Sequence, residues 1–217
     1  MKQEFWHERW EKNEIGFHLP MVHPWLKAVW PDQNVSEGAS VFVPLCGKTL
    51  DIDYFLQQKM SVVAVELSEL AVITLFEQLN YKANVSDWIG GKLYQAENLK
   101  VYVGDFFKLT PEHVGHVSVI YDRAAIIALP TEMRQRYAQH LVKSCPVADI
   151  LSLTFDYAQE DMAGPPFSVS QQEIKQHYSE HYNIECIRSK NIIDNEPNFK
   201  KRGLNRLTQA FNVISRK

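Results

Sequence analysis

The rhythm of apolar residues changes at position 39. Residues 1–38 are rich in aromatics and interrupted by Pro20, Pro24 and Pro31, with Trp6 and Trp10 spaced four apart so that a helix would carry both on one face. This predicts an N-terminal helix followed by an extended segment. From Ala39 onward, short apolar runs alternate with helical periods. Residues 39–45 (ASVFVPL) and 61–66 (SVVAVE) read as strands buried on both faces, separated by a helical stretch at 49–59. Ser68 is placed to cap the next helix, where Val72, Leu75, Phe76 and Leu79 fall at i, i+3, i+4 and i+7.

Farther along, residues 81–98 are irregular and suit a small hairpin. Strands are expected at 100–104, 117–121 and 148–155, with a helix from Thr131 to Ser144. Ser170 followed three residues later by Glu173 forms a capping-box signature, and the alternation at 183–187 and 207–214 predicts a closing antiparallel pair. The sum is an α/β three-layer domain with a mostly parallel sheet. Residues 1–38 are expected to form a covering segment and 39–217 the main domain, one structural domain overall. Ligands in such folds bind beyond the carboxyl ends of the strands, which directs attention to Leu45, Glu66, Asp105 and Asp122 onward.

Composition narrows this little. The 217 residues are 45% hydrophobic and 23% charged, ordinary for one globular domain, and the net charge of −3 argues against a nucleic-acid partner. Lys200, Lys201 and Arg202 make the densest basic patch, either a solvated loop or a contact for an anionic substrate. Three widely spaced cysteines imply neither a disulfide framework nor a zinc site. The charged first residues do not form a signal peptide, and no apolar run is long enough to span a bilayer. The expectation is a cytoplasmic protein with no membrane partner and no need to be more than a monomer.

The first strand ends in Val43-Pro44-Leu45-Cys46-Gly47-Lys48-Thr49. Gly-Lys-Thr invites a phosphate-binding loop, but Phe42 stands where that motif requires its first glycine. A dinucleotide enzyme is a closer rival, because Glu66 ends the second strand 19 residues after Gly47 and fits a ribose ligand. A pyrophosphate, however, needs a glycine-rich approach, and this loop has one glycine. S-adenosylmethionine carries a ribose and an adenine but no phosphate. The shortage of glycines therefore favours it over NAD.

Asp105 and Phe106 follow the third strand, either as an acceptor for the adenine amino group and a ring to pack on it, or as a simple loop start. Asp122-Arg123 ends the fourth. Arg123 is suited to a carboxylate of the cofactor, to an anionic substrate or to both. Cys46 lacks a partner arrangement for nucleophilic catalysis and reads as a small packing residue. His177 and His181 have ligand spacing without a third ligand, so no metal is expected. His113 and His116 read as loop residues.

Together the segments FWHERW…GFH (5–18), VFVPLCGKTLD (41–51), VVAVELSE (62–69), YDRAAIIALP (121–130) and GPPF (164–167) resemble the thiopurine S-methyltransferase family, in order over nearly the whole chain. The resemblance implies the class I methyltransferase fold: a Rossmann-like sandwich with a seven-stranded sheet, a terminal antiparallel hairpin and an N-terminal segment over the site. It implies methyl transfer from S-adenosylmethionine to sulfur of aromatic and heterocyclic thiols, giving S-adenosylhomocysteine. Bacterial members are also associated with selenium and tellurium compounds, a detoxifying role. By motif position, Trp10, Leu45, Glu66 and Arg123 correspond to cofactor contacts, with Asp105 and Phe106 near the adenine. Phe17 and Pro166 correspond to the acceptor pocket. One departure is the basic position preceding the glycine that matches Gly203, where Asn198 and Phe199 stand and Lys200 or Arg202 is the available substitute.

The expected chemistry is in-line displacement by a thiolate, with no general base required and no catalytic residue assigned. Trp10 either faces the sulfonium or packs the N-terminal helix. Two other classes compete: an NAD-dependent oxidoreductase and a non-catalytic S-adenosylmethionine-binding protein.

Overall fold

The element order follows the alternation in the sequence. A computed structural model of the chain describes residues 3–217; Met1 and Lys2 of the expected N-terminal segment lie outside the described residues. The chain divides into two compact units, the first ending at Ile120 and the second starting at Tyr121.

The first unit opens with α1 (Gln3–Glu11) and α2 (Pro24–Val29). The second of these replaces the expected extended segment. Pro24 has the look of a breaker in sequence, yet it sits at the first helical position, where a missing N–H costs nothing, and His23 Nδ1 accepts from Trp25 N at 3.1 Å. Then come β1 (Ser40–Val43), α3 (Asp51–Gln57), β2 (Ser61–Glu66) and α4 (Glu69–Gln78). β1 and β2 pair in parallel and are buried almost throughout, as their β-branched runs require. Ala71, Val72, Leu75 and Phe76 form the buried face of α4, and Ser68 caps it as expected, its hydroxyl accepting from Ala71 N at 3.4 Å.

The irregular stretch is a true hairpin, β3 (Asn84–Trp88) and β4 (Gly91–Ala96), laid antiparallel along β5 (Leu99–Gly104). A short α5 (Pro111–Val114) leads to β6 (Val119–Arg123), whose first residues pair in parallel with β1. Within this unit the strands run β3-β4-β5-β2-β1-β6.

The second unit holds α6 (Thr131–Ser144), β7 (Asp149–Asp156), α7 (Gln171–Tyr178), β8 (Tyr182–Asn191), α8 (Pro197–Lys201) and β9 (Thr208–Arg216). β9 pairs antiparallel with both β7 and β8, so the closing antiparallel pair is present. Arg134, Tyr137, Ala138 and Leu141 are the buried face of α6. There are nine strands among the described residues, two more than the expected seven, because the stretch at 81–98 supplies β3 and β4. No helix among the described residues is long and apolar enough to cross a membrane.

Candidate active site

Beyond β1 the chain turns sharply. Leu45 has φ +47° and Gly47 φ +54°, both left-handed, which is unusual for a leucine and marks a constrained turn. Cys46 N donates to Val65 O at 3.0 Å, tying the turn to the end of β2. Gly47 N donates to Glu66 Oε2 at 2.8 Å, and Ser68 N donates to Glu66 Oε1 at 2.9 Å. One carboxylate thus joins the loop after β1 to the start of α4. Glu66 is only 6% exposed. Burial pushes its pKa up, while the N–H groups of Ser68, Gly47 and Leu67 pull the other way.

The N-terminal helix closes over this turn. Trp10 is buried, and a Cβ built on Gly47 would lie 3.0 Å from its Cζ2. Glycine is therefore favoured twice over at position 47, by its φ and by the indole above it. Phe17 stacks edge-on against Trp10 at 5.5 Å and against Trp6 at 5.6 Å between ring centroids. Trp10, Phe17, Leu45 and Glu66 are thereby brought together.

Glu66 is in register with Val103 of β5, two residues before Asp105. Asp105 caps a short 3-10 turn, with Oδ1 accepting from Phe107 N at 2.9 Å, and Phe106 is buried just beyond it. Gly104 is held by Trp88 of the hairpin, whose indole N–H donates to Val103 O at 3.0 Å. That buttress was not visible from the sequence, because it crosses 15 residues.

The Cys46 thiol is buried and its pKa is pushed well above the ordinary value, by burial first and by Glu66 second, which agrees with a packing role. His113 is not a loop residue: its Nδ1 accepts from Thr110 N at 3.1 Å within the capping box of α5. His177 lies in the last turn of α7 beside Glu173 at 3.2 Å, whereas His181 lies beyond the helix, so the two share no helical face. Among the described residues no three His, Cys, Asp or Glu side chains form a metal site.

Arg123 and Pro166 belong to the second unit. Asp122 beside Arg123 is fully buried; Oδ1 accepts from Ile126 N at 3.1 Å and Oδ2 from the Tyr137 hydroxyl at 2.9 Å. Burial raises its pKa to about 6. The acid therefore braces the turn in which Ala124 takes φ +61°. Pro166 O accepts from the Tyr157 hydroxyl at 2.7 Å, and Phe167 N donates to Ile127 O at 2.7 Å. Buried Arg134 donates to Ser168 O at 2.7 Å and to Glu173 Oε2 at 2.8 Å. Glu173 N bonds to Ser170 Oγ as the capping box predicts, but the Glu173 carboxylate turns to Arg134 instead of closing the box. In the basic patch, Lys200 is paired with Asp194 at 2.6 Å, while Arg202 reaches Pro165 O at 3.4 Å; Lys200 and Lys201 end a short helix instead of lying in a loop.

The same fold occurs in solved structures. The 1,6-didemethyltoxoflavin-N1-methyltransferase of Burkholderia thailandensis, with bound S-adenosylhomocysteine, is similar with a TM-score of 0.66 at 13% identity, over 99% of this chain and 87% of that one. A SAM-dependent methyltransferase from Anabaena variabilis gives 0.62 at 11% identity, over 99% and 95%. The fold class is that of the S-adenosylmethionine-dependent methyltransferases.

The family model described as thiopurine S-methyltransferase matches residues 1–217. Relatives named thiopurine S-methyltransferase include those of Teredinibacter turnerae, 46% identical over 88% of this chain and 89% of the relative, and Nitrosospira multiformis, 41% identical over 99% and 98%. The chain belongs to the thiopurine S-methyltransferase family.

Proposed function

We propose that the chain methylates the sulfur of aromatic and heterocyclic thiols with S-adenosylmethionine. The observation that carries the cofactor half is the Glu66 carboxylate, buried at a strand end and reached by the N–H groups of Gly47 and Ser68. Oε2 accepts from Gly47 N and Oε1 from Ser68 N, and the carboxylate keeps lone-pair capacity for a ribose hydroxyl. The turn at Leu45–Gly47 approaches without a side chain at Gly47, and its single glycine suits a ligand lacking phosphates. These residues fit the cofactor.

When bound, S-adenosylmethionine supplies an electrophilic methyl group on a sulfonium. Glu66 orients the ribose, Asp105 and Phe106 bound the adenine, and Leu45 with Trp10 limit the methionyl side. Arg123 offers a guanidinium to a carboxylate of cofactor or acceptor. Phe17 and Pro166 serve as acceptor walls. An aromatic thiol ionises more readily than an alkyl one, so no strong general base is required, and alignment and exclusion of water carry the rate. Residues 1–38 act as the covering segment and 39–217 as one methyltransferase domain, a reading supported by a family model that runs the whole length. A monomeric, cytoplasmic detoxifying enzyme is the simplest setting.

The test is methyl transfer from labelled S-adenosylmethionine to a panel of aromatic thiols, selenite and tellurite. Labelled thioethers are expected. Tight cofactor binding with no transfer to any acceptor would make the chain a binding protein, and stabilisation by NAD without response to S-adenosylhomocysteine would make it an oxidoreductase.

A further inference from the structure

The hairpin β3–β4 lies outside the expected seven-stranded sheet, and its turn seats on the strand end that leads to Asp105. Trp88 and Gly91 face each other across that turn, and Gly91 is in register with Gly104, the last residue of β5. The approach is backbone against backbone. A Cβ on Gly104 would overlap Gly90 O, and one on Gly91 would overlap Val103 O. A Cβ on Gly90 would overlap the Trp88 indole. Glycines at these positions therefore let the turn sit directly on the end of β5.

Trp88 closes this seat. Its indole N–H donates to Val103 O at 3.0 Å, and a Cβ on Gly104 would lie 3.2 Å from its Cζ2. Its ring meets Tyr102 at 5.1 Å and His113 at 5.2 Å between centroids, both edge-on, and the Tyr102 hydroxyl donates to His113 O at 2.8 Å. The indole is thus committed to β5 and α5. What it holds is the strand end from which Asp105 and Phe106 depart. Asp105 Oδ1 accepts from Phe107 N at 2.9 Å, and the carboxylate keeps lone pairs for the exocyclic amino group of adenine. Asp105 follows Gly104 directly, so a displaced strand end misaligns that carboxylate, and hydrogen bonds weaken steeply with misalignment.

The hairpin has a second tie, at the start of α4. Glu69 Oε1 accepts from the Tyr94 hydroxyl at 2.6 Å and from Lys92 Nζ at 2.7 Å. β4 also pairs with β5 along its whole length, Gly91–Ala96. Loss of the indole bond therefore leaves the hairpin attached and releases only its tip.

We propose that Trp88 is a positioning residue for adenine recognition: its indole N–H, bonded to Val103 O, fixes the end of β5 so that the Asp105 carboxylate meets the amino group of the base. The inference rests on the reading of Asp105 and Phe106 as the adenine boundary and extends it to a residue that acts through them. A tryptophan that only packs the hairpin would affect stability and nothing else.

Calorimetry on the wild type and Trp88→Phe compares S-adenosylhomocysteine with its 6-deamino analogue, in which hydrogen replaces the exocyclic amino group; no methyl acceptor is needed. The wild type should prefer the amino-bearing ligand. Trp88→Phe should lose about tenfold in affinity for S-adenosylhomocysteine, the scale of one hydrogen bond to a charged group, and nothing for the analogue. Equal losses for both ligands, or none for either, overturn the proposal and leave the cofactor reading standing. A wild type that binds both ligands equally would show that Asp105 does not read the amino group, and one that binds neither would remove the cofactor reading itself; either result takes the proposal down with it. If Trp88→Phe does not fold, 3-benzothienylalanine at position 88 keeps the shape of the indole without its N–H and is held to the same outcomes.

Discussion

Glu66 and Asp122 are both acids at the ends of buried parallel strands, one in each unit, and burial raises the pKa of both. Their partners differ. Glu66 accepts from two backbone N–H groups of loops that end in a turn under Trp10. Asp122 accepts from Ile126 N and from the hydroxyl of Tyr137, a side chain on α6 that is itself fully buried. A carboxylate held by backbone donors at a strand-end turn retains lone pairs for a ligand. One sealed under a buried tyrosine braces its own loop. A raised pKa therefore marks burial here, and the donors decide between binding and bracing.

The largest effect should come from Asp122→Ala. It removes the acceptor of the Ile126 N and Tyr137 hydroxyl bonds, at a cost of about 3 kcal/mol in urea unfolding at pH 5. S-adenosylhomocysteine affinity should hardly change. The pH dependence has a definite sign. Unfolded, Asp122 ionises near its ordinary value of 3.8; folded, it keeps its proton to about 6. Between these values the folded state binds the extra proton, so this group's contribution favours folding at low pH and is lost as pH rises through about 6, amounting to about 3 kcal/mol. Asp122→Asn removes the ionisation. The stability of the wild type relative to Asp122→Asn should accordingly decline from pH 4 to pH 7; a flat difference would show that the acid ionises normally.

Glu66→Ala should invert that profile. Loss of two charge-assisted ribose contacts predicts about 100-fold weaker S-adenosylhomocysteine binding by calorimetry, equivalent to about 2.7 kcal/mol. Unchanged affinity with lost stability would make Glu66 a second brace and break the contrast. Because its folded pKa is raised and the ionised form accepts from hydroxyls, cofactor binding should weaken as pH falls through that pKa, and Glu66→Gln should remove the dependence. Tyr137→Phe is the milder probe of the braced acid. It leaves Asp122 Oδ2 unsatisfied for about 1.5 kcal/mol of stability, with cofactor affinity intact.

The sequence made one side of this contrast readable. Strand runs at 61–66 and the helix after Ser68 are local patterns, so Glu66 could be located at a strand end and compared with Gly47 by spacing. α2 is not legible in the sequence because Pro24 has opposite meanings inside a helix and at its first position. The bracing role of Asp122 was invisible, since it depends on Tyr137 fifteen residues away meeting it through tertiary packing. The same holds for Arg134 with Glu173, 39 residues apart, which diverts the carboxylate of a recognisable capping box. Cavities such as the one beside Asp156 have no local signature at all, because residues 156 and 206 meet only after β9 returns along β7.

The smallest effect tests whether the turn at Gly47 is built for a ligand or only for the helix above it. Gly47→Ala places a Cβ 3.0 Å from Trp10 Cζ2 and a side chain at φ +54°, costing about 1 kcal/mol of stability. If Trp10 merely packs α1, that loss should be the whole effect, and Trp10→Phe, by relieving the contact, should recover part of it without altering cofactor affinity. If the turn also carries the donor that fixes Glu66, Gly47→Ala should shift the Gly47 N–Glu66 Oε2 bond and weaken S-adenosylhomocysteine binding several-fold beyond the stability loss. Asp122→Ala cannot produce that pattern, since its loop is braced from within its own unit. A Gly47→Ala variant with reduced stability and unchanged affinity would therefore place both strand-end acids in the same structural role.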